Sequence, residues 1–325
     1  MTKVKQFAGI DISKQTFDVA IPSGVEGQYQ HKKFSNDPAG FRSLQKSIPL
    51  DCICAMEATG SYYLPLATYL HKQGLEVRVV NPLAVKHFSQ MQMRRAKTDK
   101  RDAGLIAEYT RSQSDKLRSW KPKPAYMMEL QQLQTMLDGF VKRKTQLLNQ
   151  QEAFTVSGSR ANKASRILQQ EVEHMEKQIT KIEREMERIT EEYHADLFRR
   201  LQTIPGIGKR TAMMLIVITD GFTRFETAKQ LVGYIGLSPR IYDSGSTIKG
   251  KARICKMGMS RMRALLYMCG MRAKQGNAAC KEMYERLAAR GKNGKLIIIA
   301  IANKLVRQSF GIAMSDRDYQ ENLVA

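Results

Sequence analysis

The chain is short of aromatic residues, paired cysteines, long apolar runs and acidic charge. Trp120 is the one tryptophan among 325 residues, whereas docking on an anionic membrane calls for a basic amphipathic helix with aromatic anchors. The longest apolar run, Leu296 to Ala302, is too short to span a bilayer. The first residues carry no apolar core of a secretory signal. Five cysteines (Cys52, Cys54, Cys255, Cys269, Cys280) are odd in number and show no C-x-x-C spacing. That argues against zinc ligands or a disulfide framework and for reduced thiols in a cytosolic protein. Acids are the largest deficit: 31 Asp and Glu face 53 Lys and Arg, a net charge of +22. Solubility needs far less, so a polyanion is the expected partner, nucleic acid before membrane. The last stretch, 201–325, is especially basic, with 21 Lys and Arg against 8 Asp and Glu.

What the chain does have begins at Phe7. Phe7-Ala8-Gly9-Ile10-Asp11-Ile12 reads as an apolar strand ending on a carboxylate, followed by a polar turn. Phe17, Val19 and Ile21 then alternate as a second strand. A carboxylate in a buried first strand is costly unless paired or bound to a cation. Asp11 is therefore either a structural cap of its turn or a metal ligand. Gln28–Phe34 predicts a third strand, and Asn36-Asp37-Pro38 opens a helix through Ser47. Asp51–Met56 is an apolar strand ending on Glu57, a helix follows from Tyr62 to Lys72, and Glu76–Val80 is another strand. Three strands followed by strand–helix alternation predict a mixed α/β sheet. Asp11 and Glu57 lie side by side if their strands are neighbours.

Arg94-Arg95-Ala96-Lys97-Thr98-Asp99-Lys100-Arg101-Asp102 leads into an apolar helix. Thr98 as N-cap places Asp99 and Asp102 in the first turns on one face, where acids also suit the helix dipole. Arg94, Arg95, Lys97, Lys100 and Arg101 would crowd a phosphate backbone beside them. Four acids, Asp11, Glu57, Asp99 and Asp102, form a set suited to Mg²⁺, which takes oxygen ligands and assists phosphodiester cleavage.

The G-I-D-I-S-K opening, M-E-A-T-G at Met56–Gly60, Asn81-Pro82 and the K-T-D-K-R-D-A run from Lys97 to Ala103 resemble the DEDD transposases of the bacterial "IS one-ten" insertion sequences, relatives of the Piv-type DNA invertases. The resemblance implies a RuvC-like, RNase H-type N-terminal domain (1–125) whose acidic tetrad falls on Asp11, Glu57, Asp99 and Asp102. It also implies a structured noncoding guide RNA, the bridge RNA, that pairs with donor and target DNA.

The middle of the chain (126–200) reads as helical. Leu168, Val172, Met175, Ile179, Ile182, Met186, Ile189 and Tyr193 keep a heptad beat, the signature of a coiled coil. Two helices joined across Ser157-Gly158-Ser159 predict a hairpin or a seam between protomers, with a dimer or tetramer as its product. From 201 to 325 the chain predicts a mainly helical domain. Ile204-Pro205-Gly206-Ile207-Gly208-Lys209 looks like a helix-hairpin-helix turn able to bring backbone N–H groups to a phosphate; a glycine turn without a ligand is the alternative.

The basic loop Asp243–Ile254 holds Ser244 and Ser246 without the His/Asp partners of a hydrolase triad. By resemblance, the P-R-x-x-x-S-G-x-x-x-x-G-K pattern from Pro239 to Lys251 places a serine nucleophile at Ser244, with Ser246 the fallback. Asp243 and Cys255 depart from that pattern, where a neutral residue and a serine are commoner. Lys209, Arg240, Lys249, Lys251 and Arg253 complete the expected nucleic-acid contacts.

The function expected is a Mg²⁺-dependent DNA transposase or recombinase that works through a 5′-phosphoserine link in the bacterial cytoplasm, near the nucleoid. The rivals are a RuvC-like nuclease using water, a nucleic-acid scaffold and an actin-like ATPase. Retention of all four acids opposes the scaffold, and no second glycine-rich phosphate loop supports the ATPase.

Overall fold

The computed structural model describes residues 6–23, 25, 28–93, 99–158, 162–240, 243–244, 248–249, 253–255 and 257–321. The chain divides into two compact units, Met1–Lys123 and Pro124–Ala325, where three segments were expected.

In the first unit, β1 (Gln6–Ile12) and β2 (Thr16–Pro22) flank a tight turn in which the Ser13 hydroxyl donates to the Thr16 carbonyl at 2.6 Å. β3 (Tyr29–Ser35) follows. α1 (Pro38–Ser47) begins at the expected cap: Asp37 accepts from the Gly40 N–H at 2.8 Å, and this bond holds its carboxyl below the usual carboxylate range. Then come β4 (Cys52–Glu57), α2 (Leu64–Lys72), β5 (Val77–Val80), α3 (Pro82–Met91) and α4 (Asp99–Ser112). The sheet order is β3-β2-β1-β4-β5, with β1 antiparallel to β2 and parallel to β4.

Alternation along the strands sorts the two faces. One buries Ala8, Ile10, Phe17 and Val19 against Phe41 and Leu44 of α1 and Leu66 and Leu70 of α2. The other buries Ala55 and Val80 with Val85 of α3 and Leu105 and Ile106 of α4. The sequence reading did not anticipate α3, because Asn81-Pro82 reads as a strand end. The same pair starts a helix: Asn81 accepts from the Leu83 N–H at 2.9 Å, and Pro82 fills the first turn.

The second unit opens with α5 (Ala125–Val156) and α6 (Lys163–Gln202). Tyr126 stacks on Tyr193, Lys144 pairs with Glu176 at 2.6 Å, and Gln151 bonds Gln169 at 2.6 Å. These contacts advance along one helix as they recede along the other, so the two form an antiparallel hairpin within the chain. Leu168, Val172, Ile182, Met186 and Ile189 of the heptad set are buried, whereas Tyr193 is 49% exposed. The beat ends there because the helix kinks at His194 (φ −141°, ψ 30°). The base of the hairpin shares one core with the helices that follow: Met127, Leu130 and Leu137 pack in the same cluster as Ile216 and Leu266. A shared core is why the two segments fall in a single unit.

Those helices are α7 (Lys209–Thr219), α8 (Ala228–Ile235), and, after four short strands, α9 (Ser260–Gly276), α10 (Ala278–Ala289) and α11 (Gly294–Ser315). α10 was not expected from the sequence; Asn277 caps it, accepting from the Cys280 N–H at 3.1 Å. The strands are β6 (Pro239–Arg240), β7 (Asp243–Ser244), β8 (Ile248–Lys249) and β9 (Arg253–Ile254). β6 pairs with β9 and β7 with β8, both antiparallel. The described residues of the stretch read as a basic loop therefore form two nested antiparallel pairs, called the ribbon below.

By length and composition α11 could cross a membrane. Here its apolar residues, among them Ile297, Ile301, Leu305 and Val306, are part of the core. All five cysteines are free thiols, and Cys52, Cys54, Cys269 and Cys280 are buried.

Candidate active site

The site is built around the close seat of α4 on β1. A methyl group at Gly9 would lie 1.9 Å from the Ala103 carbonyl oxygen and 2.5 Å from the Ala107 nitrogen. Glycine is therefore required by backbone-to-backbone packing, and its neighbour across the antiparallel pair is the small residue Ala20. The run of α4 follows from its contacts with β3. Gly104 faces His31, while Glu108 and Arg111 act electrostatically on Tyr29, two residues earlier in the strand, whose phenol is pushed up mainly by burial. Tyr29 and His31 are level with the earlier part of β1 through β2. The N-terminal end of α4, opened by Asp99, thus lies toward the carboxyl end of β1.

That end carries the acids. β1 and β4 run parallel in register, ending with Ile10 opposite Met56. The next residues along are Asp11 and Glu57, on strands about 4.8 Å apart. Asp11 shares the α4 face with Gly9, two residues before it. Asp11, Glu57 and Asp102 are all half-buried. The positive end of the α4 dipole favours carboxylates there. An all-oxygen donor set of this kind suits a hard divalent cation. Among the described residues no three His, Cys, Asp or Glu side chains come close enough together to hold a metal; the backbone places Asp99 at the start of α4, one turn from Asp102.

Known proteins are similar in sequence over nearly the whole chain. A family model described as "Transposase", for the DEDD type of IS110, matches residues 8–155. A second, "Transposase IS116/IS110/IS902 family", matches residues 198–285. The chain belongs to the IS110 family of transposases. The "Pilin gene-inverting protein" of Moraxella lacunata is 29% identical over 98% of this chain and 99% of its own length. Its namesake from Moraxella bovis is also 29% identical over the same shares. The "Transposase for insertion sequence element IS1328" of Yersinia enterocolitica is 25% identical over 92% of this chain and 94% of its own. The protein is thus a DNA transposase or recombinase, and its five-stranded mixed sheet is compatible with an RNase H-like N-terminal domain.

The transposase's other expected residues fall in α4, in the second unit or outside the described residues. Ser244 lies on β7, with its backbone opposite Ile248. Arg240 and Arg253 face each other at the ribbon's outer pair, and Lys249 sits opposite Asp243. Arg94, Arg95, Lys97, Ser246 and Lys251 lie outside the described residues. Lys100 is in the first turn of α4, and Arg101 is exposed.

The ribbon is anchored by two glycines with positive φ. A Cβ on Gly236 would lie 2.5 Å from the Met257 carbonyl oxygen, and one on Gly258 would lie 2.3 Å from that of Tyr234. The Pro205–Gly208 turn splits the two readings given to it. Gly206 (φ +104°) is required by packing, since a Cβ there would meet Ala273 of α9 at 2.7 Å. Gly208 faces open space and caps α7 with no side-chain bond. Lys209 is paired with Glu187, which raises its pKa, and Arg210 pairs with Glu183 at 2.9 Å.

Sequence reasoning named the acids but missed Asp18 and the Gly9–Ala20 platform. Asp18 sits directly opposite Asp11. The available signal was a charged residue between Phe17 and Val19, which reads as the ordinary polar half of a strand.

Proposed function

We propose that this transposase exchanges DNA strands through a serine–phosphate intermediate formed with the help of the acidic tetrad. The register that sets Asp11 beside Glu57 at the N-terminal end of α4 is the observation that supports it most. Asp11, Glu57, Asp99 and Asp102 would hold Mg²⁺. Such an ion supplies charge neutralisation at a phosphate and lowers the pKa of an oxygen nucleophile. Ser244 is the nucleophile: its oxygen loses a proton and bonds to phosphorus, and the bond to the 3′ oxygen breaks as that oxygen gains a proton. The 5′-phosphoserine ester retains the energy of the broken bond. A 3′ hydroxyl from another strand can therefore reverse the step without ATP.

The tetrad and Ser244 belong to different compact units, and the reading includes a second protomer joined through the α5–α6 helices as a coiled coil. Donor and target DNA are the substrates, and the family resemblance adds a bridge RNA that pairs with both. The +22 charge suits either nucleic acid. The Moraxella relatives are named for inverting a pilin gene, and this reading gives the present chain a DNA strand exchange in the cytoplasm.

The test is recombination between donor and target plasmids by the full chain, with and without the element's own noncoding RNA, Mg²⁺ and ATP. Product requiring the RNA and Mg²⁺ but indifferent to ATP is the expected result. Nicking without joined product would indicate a nuclease that uses water, and ATP dependence would indicate an ATPase.

A further inference from the structure

A cleft of about 530 Å³ in the second unit runs along one face of α11, between Met283 of α10 and the segment 317–320 that follows the helix. Ile301, Leu305 and Val306 of α11 belong to the core, while Asn303, Lys304, Arg307 and Gly311 line the cleft. A Cβ on Gly311 would meet nothing within 4 Å, so this part of the floor is bare backbone. The wall formed by 317–320 is firmly held. α11 ends at Asp316 in the left-handed region (φ 53°), where the chain turns. Asp316 pairs with Arg200 and Asp318 with Arg199, both at 2.8 Å. The Tyr319 N–H donates to the Thr203 hydroxyl at 2.9 Å, and its phenol donates to Asn277 Oδ1 at 3.1 Å. Asn277 is itself fully buried and donates to Gln308. A wall pinned in this way needs little ordering when a ligand arrives.

The charge around the cleft is one-sided. Lys304, Arg307 and Arg317 line it, and none of them has a carboxylate partner among the described residues. Asp318 is the one acid among the described residues of the lining, and Arg199 already engages it. Arg307 Nε donates to Asn303 Oδ1 at 2.9 Å, which holds the guanidinium and leaves its terminal nitrogens for another acceptor. Three like charges around one concavity repel one another, and a cleft focuses their field on an incoming anion. Beside them lie the apolar surfaces of Met283, Ile312 and the Tyr319 ring.

We propose that this cleft holds one unpaired nucleotide of a single strand, its phosphate on Lys304, Arg307 and Arg317 and its base against Tyr319 and Met283. Bases stack on aromatic side chains whatever their sequence, and cations beside the stack hold the backbone. The volume is that of a site for one small ligand. A double helix keeps its bases paired and stacked inside, so it offers none to the cleft. An acidic peptide would meet the cations but leave the ring and thioether without a flat partner. Neither the acids of the first unit nor Ser244 enters into this.

Photocrosslinking of the full chain to short iodouracil-bearing strands tests this, with the adduct located by peptide mass spectrometry. Single-stranded RNA, single-stranded DNA and duplex DNA would be compared for wild type, Arg307→Gln, Gly311→Leu and Lys292→Gln. Single strands are expected to crosslink at Tyr319 or Met283, and the duplex is not. Arg307→Gln removes a phosphate contact. Gly311→Leu fills the floor without changing any charge, and replacing a glycine inside a helix should hold or raise the melting temperature. Both are expected to lower the adduct at least about tenfold. Lys292 is exposed and outside the cleft, so Lys292→Gln should crosslink as wild type does. The sugar that crosslinks more strongly identifies the strand, since only RNA offers a 2′ hydroxyl. An unchanged adduct in a stably folded Gly311→Leu protein would overturn the assignment. Equal loss in all three variants would also overturn it, because diffuse surface charge behaves that way. If a labelled polyglutamate peptide binds wild type more tightly than either strand and is lost in Gly311→Leu, the cleft belongs to an acidic protein segment instead.

Discussion

Gly9→Val is expected to unfold the first compact unit or leave it destabilised by about 4 kcal/mol, at the far end of what single substitutions do. The first side-chain atom alone would lie 1.9 Å from the Ala103 carbonyl oxygen and 2.5 Å from the Ala107 nitrogen. Neither is a flexible side-chain tip, so relief requires moving α4 off the sheet. That movement would expose Leu105 and Ile106, which are buried against Ala55 and Val80, and would carry Asp99 and Asp102 away from Asp11. Stability and activity therefore fall together. Urea denaturation of the full chain checks the first, with a DNA cleavage assay beside it. Gly139→Ala is the matched control, because Gly139 is a helix-interior glycine with open space around it. It should gain about 0.5–1 kcal/mol. A Gly9→Val protein as stable as wild type would mean that α4 does not lie on β1 in this way.

Asp11→Asn is expected to do the reverse: a fold intact and a chemistry lost. The substitution keeps the shape of the side chain and removes its charge. A charge-stabilising ligand worth about 4 kcal/mol in the transition state corresponds to a loss of roughly 10³ in cleavage rate. Because the side chain keeps its shape, the melting temperature should stay close to that of wild type. Rates from single-turnover cleavage of labelled DNA, set beside thermal melts, distinguish this from general damage. A cleavage rate within threefold of wild type would remove Asp11 from the catalytic set.

Much of this was readable in the residues, for reasons that can be named. Period-2 alternation at Phe17, Val19 and Ile21 and the Asp37-Pro38 cap are local signals, and the elements they predict are present. The heptad beat likewise predicted the long helices, because i, i+3 and i+4 spacing belongs to a single element. What escaped depended on partners distant in sequence. Gly9 reads as an unremarkable strand glycine until Ala103 and Ala107 are set against it. Asp18 reads as a solvent-facing strand residue until register places it opposite Asp11. The β6–β9 ribbon reads as a loop because two-residue strands carry no alternation to detect. Gly206 suggested a phosphate, and its packing against Ala273 accounts for it without one. Asp11, Glu57, Asp99 and Asp102 stood out by their places at strand ends and a helix start, and were grouped as a set through the family resemblance. That Asp11 and Glu57 are adjacent came from the parallel register alone.

The central claim is that Ser244 joins to DNA with help from the acids of the other unit. Its most direct test is a denaturing gel of wild type, Ser244→Ala, Ser246→Ala and Asp11→Ala. Each would be incubated with Mg²⁺, the element's noncoding RNA and end-labelled donor and target DNA. The account predicts a covalent protein–DNA band in wild type and Ser246→Ala that is absent from both Ser244→Ala and Asp11→Ala. Cleaved DNA with no such band, produced equally by Ser244→Ala, would contradict it.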